Sequence, residues 1–576
     1  MFKKLLPYLG EYKRYAILTP LTAVLEVACE LALPRFMAAI VDVGIVDRDM
    51  AYILQMGLSM LLLAMISMTC GMFCAKFAAI SAQGFGANLR RGLFDKIQEF
   101  SFADIDRFSS ASLITRTTND VNAIQMMVAM ALRLLVRSGV MLVAALAVAV
   151  SINAQLTLVM AVIIPLMALA IGLLMKVCSK LFEAMQRRID DLNNTTQENL
   201  VAIRVVKAFV RQSHEKLKFQ KANDALTKAT TKVDMTVILM MPLMTLSMNA
   251  ATAGVLWIGG GQVMGGSMLI GDLSSFLTYI FQMLMSVMML SMSLLQLSRA
   301  VACGHRILEV LETEPSIRDG ARKELPAPRG EVEFRDVSFK YQSSGSGDDV
   351  LEHLDLHVAP GEFVAIVGGT GTGKSSLVNL IPRFYDAAAG AVLVDGVDVR
   401  EYPLDDLRAR IGMVLQKNVL FSGTIRENLL WGRPDATEEE MIQAAKSAQA
   451  YDFVMGLPDG FDTMLDQGGT NVSGGQKQRL CIARAMLRRP SILILDDSTS
   501  AVDSTTEALI RESFKKDLAG TTVIIIAQRI SSVQYADRIV VLDDGRINAV
   551  GTHEELMASN QIYQEIYQSQ QEGVKG

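Results

Sequence analysis

At 576 residues the chain is too long for a single core and calls for two or more domains. Hydrophobic residues make up 51% of it, and the excess lies before about residue 300, which excludes an ordinary soluble enzyme for that half. A net charge of -5 gives no reason to expect a nucleic-acid partner, and six scattered cysteines suggest neither a disulfide framework nor a metal site.

The N-terminal MFKKLLPYLGEYKRYAILTP is basic and amphipathic and has no small-residue cleavage site. It predicts an interfacial helix over 1–14 leading into a first span, and not a cleaved signal peptide. Six stretches, at about 15–42, 53–76, 130–152, 156–177, 236–259 and 270–297, approach the roughly 20 residues that cross a bilayer. The connections 43–52, 153–155 and 260–269 hold one basic residue, Arg48, whereas 76–130 and 177–235 hold many, among them Arg90, Arg91, Lys180 and Arg204. This bias predicts a multi-pass protein of the cell membrane with both termini and those two long stretches on the cytoplasmic side. Each long stretch shows helical periodicity and reads as a pair of helices that leave the membrane and meet at a short turn.

Within the first span, Glu26 and Glu30 lie one helical turn apart. Acidic residues at membrane depth are costly, so they are candidates for contact with a cationic substrate, or for an interhelical ion pair with Arg35 or Arg137. Met240, Met244, Met248, Met285, Met288, Met289 and Met292 form helical stripes on the last two spans; such stripes suit soft apolar ligands and, more often, bundle packing.

Residues 1–300 thus read as the membrane domain, 301–330, with EPSIRDGARKELPAPRG, as a linker, and 331–576 as a globular domain. GEVEFRDVSFKYQ alternates like a strand and SSGSGDD reads as a flexible turn. GEFVAIVGGTGTGKSSLVNLI then predicts a strand, a glycine-rich loop and a helix start, with G-x-x-x-x-G-K-[ST] running from Gly368 to Ser375. Glycines at 368, 369, 371 and 373 let backbone N–H groups turn inward on phosphate oxygens, Lys374 adds a point charge, and Ser375 can ligate Mg2+. Downstream, the apolar run Ile492–Leu495 predicts a buried parallel strand ending at Asp496, which belongs beside that Mg2+. NVSGGQKQRLCIARAMLRRP supplies a second anion-binding helix start, one more than a single nucleotide needs, which suggests service to a nucleotide held by another subunit.

Together these motifs resemble a half-transporter of the ATP-binding cassette (ABC) superfamily, of the six-helix exporter type, over almost the whole chain. The resemblance implies an α-helical membrane domain of six transmembrane helices, followed by an α/β P-loop nucleotide-binding domain with an α-helical subdomain. It implies ATP and Mg2+ as cofactors. Tyr341 resembles the aromatic residue that stacks on adenine, and Gly368, Gly369, Thr370, Gly371, Thr372, Gly373, Lys374, Ser375 and Ser376 cover the Walker A loop. Gln416 resembles the Q-loop glutamine near Mg2+, so the implied metal set is Ser375, Gln416 and Asp496. Ser473, Gly474, Gly475 and Gln476 resemble the signature motif, with Val472 where Leu is usual, and Asp503 closes a D-loop. ENLVAIRVVKAF at 198–209 and DIDRFSSASLITR at 104–116 resemble the two coupling regions.

Three departures stand out: Asp497 where the family has its catalytic Glu, Gln528 at the switch position usually held by His, and Gln467 where a Glu is usual before the signature. Asp is one methylene shorter than Glu, and a misplacement of about 1 Å can cost roughly 10²-fold in rate. Gln528 can donate a hydrogen bond but carries no proton or charge near neutral pH. These departures imply a site that binds ATP and hydrolyses it slowly, in a heterodimer whose partner half-transporter carries the Glu and the His. The expected activity is ATP-driven export of a hydrophobic or amphipathic molecule or lipid, in the manner of multidrug efflux. An importer on the exporter fold, a slow homodimeric ATPase and a regulatory gate are the alternatives.

Overall fold

A computed structural model describes residues 1–341, 349–497, 502–527 and 529–575. The SSGSGDD turn lies almost wholly outside these residues, as does Gln528. The chain divides into two compact units, one of Met1–Lys96 with Ala111–Thr313, the other of Ile97–Ser110 with Glu314–Gly576.

The first unit contains six helices long and apolar enough to cross a membrane: Lys3–Ile45, Met50–Gln98, Ser110–Ile152, Ala154–Val201, Gln212–Met264 and Ile270–Ser293. They outrun the apolar stretches that announce them because amphipathic residues continue the helical period beyond the bilayer. The last helix continues to Glu312, into the stretch read from sequence as linker. One residue separates the third and fourth spans: Asn153 turns extended and caps the next helix by accepting from the Gln155 and Leu156 N–H groups. Pro34 breaks the hydrogen-bond ladder of the first helix, and the sixth helix braces that point. Tyr279 Oη donates to Leu31 O at 2.7 Å and Ser275 Oγ donates to Pro34 O at 2.6 Å. Three segments wind as π-helix: Ile40–Ile45, Arg116–Asp120 and Ala131–Leu135. Below the spans, Arg306 grips the buried Asp120 through two hydrogen bonds of 2.8 and 2.5 Å.

Among the described residues of the second unit twelve strands follow one another: β1 Val332–Phe339, β2 Leu351–Val358, β3 Phe363–Gly368, β4 Ala389–Val394, β5 Val397–Asp398, β6 Ile411–Val414, β7 Gly423–Thr424, β8 Met464–Leu465, β9 Ile492–Asp496, β10 Thr522–Ile526, β11 Arg538–Asp543 and β12 Arg546–Gly551. The main sheet has the order β12-β11-β3-β10-β9-β6 and is parallel except for β12. A smaller antiparallel sheet has the order β2-β1-β4-β5. Side chains alternate across a strand, and the cores divide accordingly. Val364, Ile366, Ile494 and Ile524 point into one core with Val332, Phe334 and Leu356 of the small sheet. Ala365, Val367, Leu493 and Ile525 point into the other, with Leu480, Ile482 and Met486 of the helix Gly474–Leu487 and with Met441 and Ala445 of the helix Glu438–Ser447. A parallel sheet covered on both faces explains why these strands read as unbroken apolar runs.

Candidate functional site

The carboxyl ends of β3, β9 and β6 deliver the site. β3 stops at Gly368, where an added Cβ would lie 2.2 Å from Leu542 O, so only glycine lets the chain leave the strand there. The loop then closes on Gly373, whose φ of +89° and close approach to Val350 O again require glycine, and the helix Lys374–Leu380 begins. Lys374 Nζ folds back over the loop and donates to Gly368 O at 3.0 Å and to Gly369 O, while Thr372 Oγ1 donates to Gly369 O at 3.0 Å. Gly371 and Thr370 form the exposed crest of this turn.

Ser375 Oγ donates to Asp496 Oδ1 at 3.0 Å. The serine hydroxyl and the carboxylate therefore meet, although 121 residues apart in the chain, because β3 and β9 flank β10 in parallel. Asp496 is buried, and burial raises its carboxyl pKa; the neighbouring Asp497 adds to the rise while Ser375 and Lys374 oppose it. Burial likewise pushes the Lys374 ammonium down, against the pull of Asp496 and Asp497. The set is one of hard oxygens with a lysine charge at the mouth of an N–H-lined loop, and it fits a Mg2+-nucleotide: Ser375 and Asp496 present the oxygen donors such an ion takes, the loop and Lys374 the phosphate contacts.

Asp497 lies one residue past β9, and its N–H donates to Ile526 O at 3.0 Å. Its φ is +47°, a left-handed conformation that Asp tolerates better than longer side chains do. Burial raises its carboxyl pKa too; a hydrogen bond from the Gln416 side chain and the charges of Lys374 and Arg529 hold it down. That partnership follows from register: Val414 of β6 pairs with Leu495 of β9, and Gln416 and Asp497 each lie two residues beyond.

Tyr341, two residues past β1, bonds through its hydroxyl to Ser376 Oγ at 2.9 Å and stands edge-on to Phe339 and Tyr385. The signature residues form a separate feature. Ser473 caps the helix Gly474–Leu487 in a reciprocal box with Gln476, leaving Gly474 and Gly475 at an exposed helix start. Among the described residues no hydrogen bond joins this start to the phosphate loop. Asp503 caps the helix Ser504–Asp517, and bonds from Thr506 lower its carboxyl pKa. Gln467 lines a cleft of about 1330 Å³ beside the stacked rings of Phe421 and Trp431.

One cluster includes Asp104 and Asp106 of DIDRFSSASLITR, the stretch 104–116 that resembles a coupling region. The short helix Phe102–Phe108, from the stretch between the second and third spans, belongs to the second unit. Ser101 caps it, and the Asp104 carboxylate, the return partner in this capping box, accepts from the Ser101 and Ser316 N–H groups at 3.0 and 3.1 Å. Phe102 packs its ring 4.6 Å from Phe384, and Tyr385 Oη donates to Asp106 Oδ2 at 2.8 Å. In the sequence, DIDRFSSASLITR marks one side of this contact, and the aromatic pair Phe384–Tyr385, just after the phosphate-loop helix, marks the other.

In the first unit, Glu26 and Glu30 are not free carboxylates. Arg137 donates to Glu26 Oε1 at 3.2 Å and to both Glu30 oxygens at 2.6 and 2.8 Å, while Arg35 turns instead to Ser151 Oγ. Of the methionine stripes, Met240 and Met248 pack against the helical core, whereas Met289 and Met292 remain exposed.

Comparison with known proteins agrees with this architecture. Residues 16–287 match the family model of the ABC transporter transmembrane region, and residues 351–500 match that of the ABC transporter. An uncharacterized ABC transporter ATP-binding protein of Bacillus subtilis, YfiB, is 39% identical over 569 residues, 99% of this chain and 98% of that protein. An ATP-dependent lipid A-core flippase of Syntrophus aciditrophicus is 34% identical over 525 residues, 91% of this chain and 87% of its own length. The structure of a bacterial Atm1-family ABC exporter with ATP bound superposes with a TM-score of 0.82 at 27% identity, covering 97% of this chain and 99% of that one. With six membrane-capable helices and an ATP-binding cassette in a single chain, the protein is a membrane protein that belongs to the ABC transporter family, as an exporter half-transporter whose ATPase domain couples hydrolysis to transport.

Proposed function

We propose that this chain is the weakly hydrolysing half of a heterodimeric exporter. The observation that carries the reading is Asp497. It occupies the position next to the Ser375–Asp496 pair, but with a side chain one methylene short of the family's Glu and a backbone in the left-handed region. Gln416 and Lys374 orient and stabilise its ionised form, so it can polarise a water, yet it reaches about 1 Å less far. Mg2+ supplies charge neutralisation on the phosphates when bound. Ser375, Asp496 and Gln416 are its proposed ligands, the Walker A residues cradle the phosphates, and Tyr341 stacks on adenine after releasing Ser376. Gln528, outside the described residues, has the chemistry of a neutral donor to the terminal phosphate.

The helix start at Ser473–Gln476 serves a partner's nucleotide in this reading, and the partner contributes the Glu and His that this chain lacks. The phosphate loop and the cytoplasmic stretches face the cytoplasm, in keeping with the basic residues in 76–130 and 177–235. The cargo is amphipathic and lipid-like, as the name of the flippase relatives suggests.

Purification of the tagged chain from its native membrane, with co-purifying proteins identified by mass, tests the pairing. A second half-transporter in equal amount, with Glu after its Walker B strand and His at its switch, is the expected result. Recovery of this chain alone as an active ATPase would make Asp497 the working base of a homodimer.

A further inference from the structure

Within the first unit, a cavity of about 540 Å³ opens between the first, second and third spans. Its polar lining is Glu26 and Glu30 from the first span, Ser67 from the second and Arg133 from the third; Met68 and Met72, both exposed, add apolar lining from the second. Gly71 keeps the wall open at Glu26, since an added Cβ there would lie 3.1 Å from Glu26 Oε1. The charges do not cancel in place. Arg137 binds both glutamates from outside the lining and neutralises one of them, leaving one negative charge on that wall. Arg133 is exposed and makes no ion pair among the described residues. An arginine is costly at membrane depth without an anion, and a surplus carboxylate is costly without a cation.

We propose that this cavity receives the headgroup of a zwitterionic amphiphile. Its ammonium lies against Glu26 and Glu30, its phosphate against Arg133, and its apolar chain along Met68 and Met72. The inference deepens the exporter reading by naming the class of cargo, and rests on the membrane domain being the transport path. A purely anionic lipid would satisfy Arg133 but set its charge against the two carboxylates; a simple cation would do the reverse. A zwitterion satisfies both walls at once, and flexible methionine side chains accommodate varied chains.

The test needs no nucleotide. The full chain is reconstituted in phosphatidylglycerol nanodiscs containing trace photoreactive phosphatidylethanolamine, photoreactive phosphatidylglycerol, or a free photoreactive alkyl phosphoethanolamine, and labelling around Met68 and Met72 is read by peptide mass. Zwitterionic probes are expected to label this segment about tenfold more than the glycerol lipid. Arg133→Ala, which breaks no ion pair, removes the preference, and Arg133→Lys retains it. Labelling by the free probe alone identifies a soluble zwitterion as the ligand; labelling by both identifies a bilayer lipid. Equal labelling by phosphatidylglycerol, no labelling by either zwitterion, or a preference indifferent to Arg133→Ala overturns the proposal. Absent ATPase activity in the complex of this chain with its partner half-transporter, with intact labelling, would instead sink the exporter reading and leave the site standing.

Discussion

Tyr385 Oη donates a 2.8 Å hydrogen bond to Asp106, and the same ring meets Tyr341 edge-on with centroids 5.2 Å apart. One tyrosine thus touches both the proposed adenine-stacking residue and the helix Phe102–Phe108 between the second and third spans. Stacking of Tyr341 on a base requires its hydroxyl to leave Ser376, and Tyr385 is the ring beside it that feels the change.

Tyr385→Phe should therefore uncouple hydrolysis from transport. The exposed hydrogen bond to Asp106 is worth about a fivefold effect on transport, with nucleotide affinity unchanged. Parallel transport and ATPase assays on reconstituted protein measure it; an equal fall in both would assign Tyr385 to nucleotide binding.

Asp497→Glu should raise hydrolysis at this chain's own site by about tenfold when the partner's site is disabled, and further when combined with Gln528→His. The same substitution places a longer side chain at φ +47°, so a strain of about 1 kcal/mol should lower thermal stability slightly. An ATPase rate unmoved by the double variant would place the limiting defect elsewhere.

Burial raises the Asp496 pKa in the folded chain, so its ionised form costs stability at neutral pH. That cost is absent below the unfolded value and grows as pH rises through the window up to the raised folded value. Asp496→Asn should accordingly raise the Tm of the nucleotide-free protein by about 2–4 °C and abolish the Mg2+-dependent part of the shift that ATP produces. Calorimetry with and without Mg2+-ATP reads both effects.

Asp496 and Lys374 together set a bell-shaped pH profile for nucleotide affinity. Affinity falls on the acid side as Asp496 takes up its proton below its raised pKa. It falls on the alkaline side as Lys374, lowered by burial, loses its charge. A fluorescent nucleotide titration across pH follows both limbs, and Lys374→Arg should move the alkaline limb upward.

Asp120→Ala should lower the Tm by about 2–4 °C, because it strands Arg306 without its two-point carboxylate; the discount reflects a guanidinium that is about half exposed. Asp120→Asn should recover part of the loss. A Tm unchanged in both would mean that solvent takes over the guanidinium without cost.

Local spacing made much of this legible. The glycine positions before Lys374 and the four apolar residues before Asp496 each require one chain conformation, and the parallel register of β3, β10 and β9 then brings Ser375 to Asp496. Other features depend on partners distant in sequence. Whether Glu30 pairs with Arg35 or Arg137 is decided by how the first and third spans pack, and the helical period alone leaves it open. The placement of Phe102 on Phe384, and the hydrogen bond of Asp106, arise from a seven-residue helix whose resemblance to a coupling region marks the stretch but not the residues it meets. The left-handed φ of Asp497 is likewise a property of the strand end, with nothing in the residues on either side to announce it.

Arg133 lies inside the π-helical segment Ala131–Leu135. A π-turn accommodates one residue more than an α-turn, so annealing it to α-helix would rotate one side of the span against the other by about 100° and advance it by about 1.5 Å. Arg137, just beyond the segment, is anchored to Glu26 and Glu30, which leaves the N-terminal side of the helix to turn. The third span therefore contains a screw thread: winding the slack out of one turn swings the guanidinium of Arg133 away from the cavity while the ion pair stays fixed.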